Sequence, residues 1–407
     1  MSRRSLGGWS PKRLEELASI GSGSALPPGL ATGPVLVLGA NGAIGTAGRA
    51  NFGPGYLVGR VGAAGAVTRV SDLCWASDNA LTVSPRTDSV DESFLGHLLR
   101  FLNPEQLATK NAQPLVTQTN LARLQALVPE NKTEQHRIAD ILDTLDDTIR
   151  KTEEIIAKLQ QAKRGLLHDL LTRGIDDNGE LRDPERHPEQ FKETVLGRVP
   201  KEWGLVRLEE VSEFVTSGSR GWASYYSETG PLFLRIGNLT RDHINLDLGD
   251  VVHVRPPGGG EGTRTEVEAN DLVMSITADL GIVGVVCRGL GEAYVNQHIA
   301  LVRLRVGAVD PRWTGHYLAG HASQKRFRHL DDPGAKAGLN LPTVRSLILP
   351  VPPRLEQQKI VSLLDAHDES VLEESRFRDK LSRLKQGLMD DLLTGRVRVP
   401  EAEKAYV

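Results

Sequence analysis

Cysteine is nearly absent from this 407-residue chain: Cys74 and Cys287 are the only two, far apart in sequence. That excludes a disulfide scaffold and a cysteine-rich zinc module, and it fits a reducing cytoplasm. Aromatic residues make up only 5%. No apolar run reaches the roughly 18 residues that a membrane helix needs. No apolar stretch follows the basic N-terminus, so a secretory signal is not expected. An excess of one charge is missing too, because 49 Lys+Arg face 52 Asp+Glu and leave −3. A protein holding nucleic acid by charge alone would be more basic.

Recognisable catalytic motifs are also missing. There is no Gly-x-x-x-x-Gly-Lys-Ser/Thr phosphate loop, so the chain is not expected to be a motor by itself. The Pro-Pro pairs at 27–28, 256–257 and 352–353 lack the flanks of an amino-methyltransferase motif. The eleven histidines show no metal-ligand spacing. A stretch from Val35 to Gly45 imitates the strand and glycine loop of a dinucleotide site, the mark of a nicotinamide-dependent oxidoreductase. That site needs a helix after Gly45, yet Gly48, Gly53, Pro54 and Gly55 follow at once. Glycines serving tight turns are the better account. The chain reads as non-catalytic.

What is present is an internal repeat. Glu134-Gln135 recurs as Glu356-Gln357, and the match continues at a constant offset of 222 through Asp169-Leu170-Leu171-Thr172 and Asp391-Leu392-Leu393-Thr394. Roughly 15 of about 42 positions are identical. Upstream, Arg13-Leu14-Glu15-Glu16 with Trp9 resembles Arg207-Leu208-Glu209-Glu210 with Trp203, at an offset of 194. The order is therefore globular module, long helix, linker, globular module, long helix.

The repeated segments carry a heptad seam of Ile138, Leu142, Leu145, Ile149, Thr152, Ile156, Leu159, Lys163, Leu166 and Leu170. The second copy places Ile360, Leu364, Val371, Leu381, Leu388 and Leu392 on the same seam. Two such seams most simply pack on each other as an antiparallel coiled coil, with Ile138, Leu142, Ile149, Leu159, Leu166, Ile360, Leu364, Val371, Leu381 and Leu388 as pairing residues. The polar Thr152/Glu374 and Lys163/Lys385 either face solvent or fix register. Pro184, Pro188 and Pro200 keep 176–200 from forming a long helix. The modules read as mixed α/β: strands at 35–38, 56–61, 232–236, 271–276 and 299–304, helices at 92–109 and 311–330, a glycine loop at 258–260. Expected boundaries are 1–128 for the first module, 129–175 for the first helix, 176–200 for the linker, 201–350 for the second module, 351–395 for the second helix and 396–407 for a tail.

In this arrangement the chain resembles the specificity subunit of type I restriction–modification systems over nearly its whole length. Val351-Pro352-Pro353-Arg354-Leu355-Glu356-Gln357 looks like the family's Pro-Pro-x-x-Glu-Gln entry into a spacer helix. Val128-Pro129 with Glu134-Gln135 is a looser first copy, lacking the second proline. Gly197 to Trp203 looks like the opening of the second recognition domain. Gly39 to Gly45, Gly59-Arg60-Val61-Gly62, Trp75 to Asn79, and Val295 to His298 look like recognition-domain blocks. The resemblance implies an α/β (α+β) fold: two target-recognition domains in tandem pseudo-repeat, separated and followed by long helices.

It further implies a cytoplasmic prokaryotic protein that reads a bipartite, asymmetric site in double-stranded DNA. Two modification subunits and restriction subunits would be its partners, and no membrane. No cofactor is expected in this chain; S-adenosylmethionine, ATP and Mg would belong to the partners. Base edges are read by side chains such as Arg, Asn, Gln and Ser, while phosphate contacts position them. On that basis the candidate DNA-binding residues are Asn41, Arg49, Arg60, Ser77, Asp78, Asn79 and Lys110 in the first module. In the second they are Ser219, Arg220, Trp222, Tyr225 (beside Tyr226), Asn238, Arg241, Thr277, Asn296, Gln297, His298 and Lys336. A coiled-coil adaptor without DNA binding is the rival reading; it explains the helices but not two related modules.

Overall fold

The computed structural model describes residues 7–110, 114–218, 220–256, 259–329 and 339–399. Two compact units divide the chain: residues 1–154 with 374–407, and residues 155–373. Each combines one module with one half of each long helix, so a helix half is part of its module's packing.

The first module contains β1 (Trp9–Arg13), α1 (Leu14–Leu17), β2 (Ala18–Ser22), β3 (Val35–Gly39), β4 (Gly42–Ala47), β5 (Gly55–Gly59), β6 (Val67–Val70), β7 (Trp75–Ala76), β8 (Ala80–Pro85), α2 (Glu92–Phe101), α3 (Gln118–Ala122) and β9 (Gln125–Pro129), and leads into the helix α4 (Lys132–Thr172). A hairpin of β10 (Phe191–Thr194) and β11 (Gly197–Pro200) precedes the second module. That module has β12 (Gly204–Arg207), α5 (Leu208–Val211), β13 (Ser212–Ser217), β14 (Tyr226–Leu234), β15 (His253–Val254), α6 (Gly260–Thr265), β16 (Leu272–Ser275), β17 (Val283–Val285), β18 (Ala293–Val295), β19 (Ile299–Leu304), α7 (Pro311–Ala319), α8 (His321–His329), α9 (Leu341–Arg345) and β20 (Ile348–Val351), and ends in α10 (Arg354–Leu392).

The repeat is a repeat of topology. Sheet order β2-β8-β5-β6 in the first module matches β13-β19-β16-β17 in the second. Likewise β4-β3-β7 matches β15-β14-β18, and β1-β9 matches β12-β20. In both three-stranded sheets one pairing is parallel, β3 with β7 and β14 with β18. The central strands β5 and β16 are buried throughout, as strands covered on both faces must be.

Several elements differ from the sequence reading for local reasons. The dinucleotide decoy is a hairpin: β3 turns directly into β4, with Gly42 at φ 101°. The helix expected over 92–109 stops at Phe101, because Asn103 turns left-handed (φ 46°) ahead of Pro104. The helix expected over 311–330 is two, broken where Gly320 becomes extended. Within the expected glycine loop, Gly260 opens the short helix α6. β14 starts at Tyr226, earlier than expected, and ends at Leu234. The linker is folded: β10 pairs with β11, and Ile175 bridges Leu181.

The pairing residues divide by depth. Ile138 and Leu142 are buried in the first module's core beside Met389, Leu392 and Leu393. Ile360 and Leu364 are buried in the second module's core beside Leu170, Leu171 and Ile175, with Leu166 packed on that core. Leu388 packs on the first core. Ile149, Leu159, Val371 and Leu381 are half-buried. In the first unit Lys385 meets Asp146, and in the second Lys163 meets Asp368. Lys163 and Lys385 are repeat equivalents, and so are Asp146 and Asp368. In each unit α4 and α10 therefore run antiparallel and are tied by a corresponding lysine–aspartate pair.

Candidate nucleic-acid interface

The repeated Glu-Gln ties each long helix to its module. Gln135 Nε2 donates to the Pro129 carbonyl (2.9 Å), and its Oε1 accepts the Asp91 backbone N–H (2.9 Å). Gln357 does the same with Pro352 (2.7 Å) and Asp310 (2.8 Å). Asp91 and Asp310 are the N-caps of α2 and α7, where a side-chain oxygen satisfies an otherwise orphaned N–H. One glutamine thus joins the start of a long helix to the cap of a module helix, twice.

The glutamates work alongside. Glu134 accepts Arg398 Nε and Nη2 at 2.7 and 2.8 Å. Burial opposes its ionisation, but the Arg398 guanidinium, together with the Trp9 indole and the Val399 backbone, holds the carboxyl below its ordinary range. Glu356 is buried and accepts the Ile175 N–H (2.9 Å), the Trp203 indole (3.1 Å) and the Arg182 guanidinium (2.5 Å).

A further repeated contact locks each module helix to a long helix. His97 Nε2 lies 2.8 Å from Asp143, and His316 Nε2 lies 2.8 Å from Asp365. Arg312 also reaches Asp365, at 2.5 and 2.8 Å. Burial resists charge on Asp365, yet His316 and Arg312 bring its carboxyl down to about 2. Burial pushes the His97 ring below its usual range, with Asp143 pulling the other way. His97, Asp143 and Asp146 have metal-ligand chemistry, as do His316, Asp365 and Asp368. An ammonium lies against one carboxylate of each cluster, Lys385 on Asp146 and Lys163 on Asp368.

On this scaffold each module presents an equivalent turn. In the first, the Ser77 N–H donates to Leu38 (2.9 Å) and the Ala80 N–H to Ser77 (3.0 Å). In the second, the Asn296 N–H donates to Leu234 (3.0 Å) and the Ile299 N–H to Asn296 (3.1 Å). Ser77-Asp78-Asn79 and Asn296-Gln297-His298 are the same turn with different side chains. Gly23 and Gly218 pass so close to these turns that a Cβ on either would sit about 2 Å from backbone oxygens, those of Ser77 and Val295.

Around the first turn the structure gathers several candidates. Arg60 N–H donates to the Asn79 carbonyl (2.8 Å), and the Arg60 carbonyl accepts from Val116 (3.0 Å). Lys110 is exposed on the loop that returns beside Arg60 and Val61. Asn41 is exposed in the β3–β4 turn, whose preceding Leu38 carbonyl holds Ser77. Arg49 is exposed beyond the opposite end of that hairpin and does not join them. Asp78 and Asn79 are exposed, while Ser77 is buried and its Oγ accepts the Asn79 N–H (3.4 Å).

In the second module, Thr277, Asn296, Gln297 and His298 come together. Thr277 Oγ1 is 2.5 Å from His298 Nδ1, and Gln297 Nε2 is 3.0 Å from His298 Nε2. Asn296 is buried, its Oδ1 accepting the His298 N–H (3.1 Å), so it shapes the turn that Gln297 and His298 present. Arg220 and Tyr225 are exposed. Ser219 and Lys336 lie outside the described residues.

Two candidates need correction. Trp222 is 2% exposed and stacks on Phe233 at 5.5 Å, so it is core; a buried ring offers no face to a base. Asn238 is 1% exposed; its Nδ2 donates to the Asp247 and Asp250 carbonyls and its Oδ1 accepts the Arg235 N–H, leaving nothing free for DNA. Arg241 stays partly exposed, its guanidinium held by Asp279, Gln324 and the Leu280 carbonyl. Conversely, Leu36 and Ile44 are exposed on the β3–β4 hairpin and were not singled out.

A duplicated α/β module, each copy packed on antiparallel halves of the two long helices and presenting an equivalent turn, defines the class of fold. Residues 7–161 and 200–381 match the type I restriction modification DNA specificity domain, so the chain belongs to the type I restriction–modification specificity-subunit family. It is similar to the putative type I restriction enzyme MjaX specificity subunit of Methanocaldococcus jannaschii, 25% identical over 333 residues that cover 79% of this chain and 72% of that protein. It is 23% identical to the type I restriction enzyme MjaVIII specificity subunit of the same organism, over 65% of this chain and 60% of the relative. Its fold is similar to the type I S subunit from M. genitalium (TM-score 0.65, 15% identity, 99% of both chains). It is also similar to a chain from a structure describing complex assembly and conformational transition of the type I R-M system (TM-score 0.52, 17% identity, 96% of this chain and 99% of that one). Among the described residues no helix is long and apolar enough to cross a membrane.

Proposed function

We propose that this chain is the non-catalytic DNA-reading subunit of a type I complex, each module taking one half of a bipartite, asymmetric site. The observation that carries the reading is the pair of equivalent turns: one backbone frame presents Ser77-Asp78-Asn79 in one module and Asn296-Gln297-His298 in the other. A shared scaffold with different hydrogen-bonding groups suits two half-sites of different sequence. Two modification subunits dock on the long helices, and restriction subunits join them. S-adenosylmethionine, ATP and Mg belong to those partners, which also supply much of the phosphate neutralisation that a net charge of −3 does not. The place of action is the cytoplasm.

The test is single-molecule methylation mapping of a host genome with and without this chain, its modification subunits present. Loss of one motif made of two short half-sites and a fixed gap supports the reading. An unchanged methylome with active partners favours the adaptor.

A further inference from the structure

We propose that the β3–β4 ribbon of the first module reads thymine in the major groove through its 5-methyl group, with Ile44 and Leu36 as the contacting side chains. This rests on the DNA-reading function above and names the base that one module selects.

β7 joins β3 only at Val37 and Leu38, so at Leu36, directly opposite Thr46, the sheet is two antiparallel strands wide. Pairing passes from Val37↔Gly45 to Leu38↔Ala43, so Ile44 is the unmatched bulge residue, and its side chain is 63% exposed. Leu36 is 53% exposed, and Thr46 adds an exposed methyl-bearing side chain. A Cβ built on Gly42 or Gly45 meets nothing within 4 Å, so the ribbon is thin and open beside these apolar groups. A two-stranded ribbon fits the roughly 12 Å width of a major groove.

Charge identifies the occupant. From Leu17 to Ser71 there is no Asp or Glu, although the stretch contains Arg49, Arg60 and Arg69. At the chain's averages of 52 acids and 49 bases in 407, these 55 residues would hold about seven of each; they hold no acid and three bases, a net +3. Arg49 follows one end of the ribbon; Arg60 and Lys110 lie towards its turn, and among the described residues none of the three has a salt-bridge partner. An aliphatic stripe on a stretch whose only charges are positive, with Asp78 exposed on the adjoining turn, complements a polyanion that carries an apolar group inside its groove. In DNA that group is the thymine methyl. The matching part of the second module differs: exposed Tyr225 and Tyr226 lie there, with Glu228, Asp247 and Asp250 nearby in sequence.

The experiment uses this chain assembled with its modification subunits and a duplex bearing the site found by methylation mapping. The thymines of each half-site are replaced by deoxyuridine, one half at a time, and affinity is measured. The expected result is about fourfold weaker binding per contacted methyl, the value of one buried carbon, in one half-site only. Ile44→Ala, at an exposed position, should bind the thymine duplex as weakly as the wild type binds the uracil one and lose the difference. Specific binding indifferent to uracil in both half-sites, or half-sites without any A·T pair, would overturn the inference and leave the DNA-reading function standing. Ile44→Ala impairing assembly with modification subunits while the thymine response persists would also overturn it, as a protein contact. Absence of sequence-specific binding by the complex would overturn the underlying function instead.

Discussion

At the scale of single residues, the buried polar groups are the most demanding. Glu356 closes three donors in the second unit: a backbone N–H, an indole and a guanidinium. Removing its carboxylate leaves the mostly buried Arg182 without that counter-charge. Glu356→Ala should therefore cost about 3–5 kcal/mol, the range for breaking a buried pair, seen as a lower urea midpoint. Asp365 gives a pH signature. Its folded carboxyl sits at about 2, below the ordinary 3.8, so the folded state favours the ionised form. The stabilisation is complete above about pH 4 and is lost as pH falls from there through 2. Urea midpoints measured across this window should fall less steeply for Asp365→Asn than for the wild type.

At the scale of elements, the long helices are specified by a seam that polar residues interrupt for a reason. Lys163 lies against the buried Asp368, and Lys385 against Asp146. Lys163→Ala should destabilise the second unit by about 3–5 kcal/mol, because Asp368 is left as an uncompensated buried charge. Lys163→Met with Asp368→Leu should recover most of that loss in the same denaturation assay. The glycines beside the turns make a second element-level case. Gly23→Ala and Gly218→Ala each force a Cβ to about 2 Å from backbone oxygens. Each should cost about 1–3 kcal/mol or more by overpacking and displace its own turn.

For the whole molecule, duplication sets what can vary independently. The two turns belong to different modules with their own cores. Asp78→Ala with Asn79→Ala should relax one half of the methylated motif by about 1–3 kcal/mol of discrimination per lost contact, and Gln297→Ala with His298→Ala the other. Methylome sequencing of the variants tests this: relaxation confined to one half in each case is the expected outcome, and relaxation of both halves by one variant contradicts it.

The duplication was legible because its signals are local or periodic. The constant offset, the four-and-three seam and the Glu-Gln pair need only neighbouring positions to be seen, and β19 over 299–304 followed from its β-branched run and flanking residues. The candidate DNA residues were legible only in part. Asn79, Gln297 and His298 lie on turns, where the sequence placed them. Trp222 and Asn238 stood in comparable glycine-bounded segments but are buried. The acid-free stretch from Leu17 to Ser71 was visible in the chain, whereas the outward turn of Ile44 depends on a bulge in its pairing with β3. By itself the sequence determined the repeat, the two long amphipathic helices and the absence of recognisable catalytic motifs, since spacing and composition encode these directly. The tertiary structure alone decided which lysine meets which aspartate, which polar groups are consumed inside the modules and which remain outward. Those outcomes depend on burial and pairing between residues far apart in the chain, which no local pattern contains.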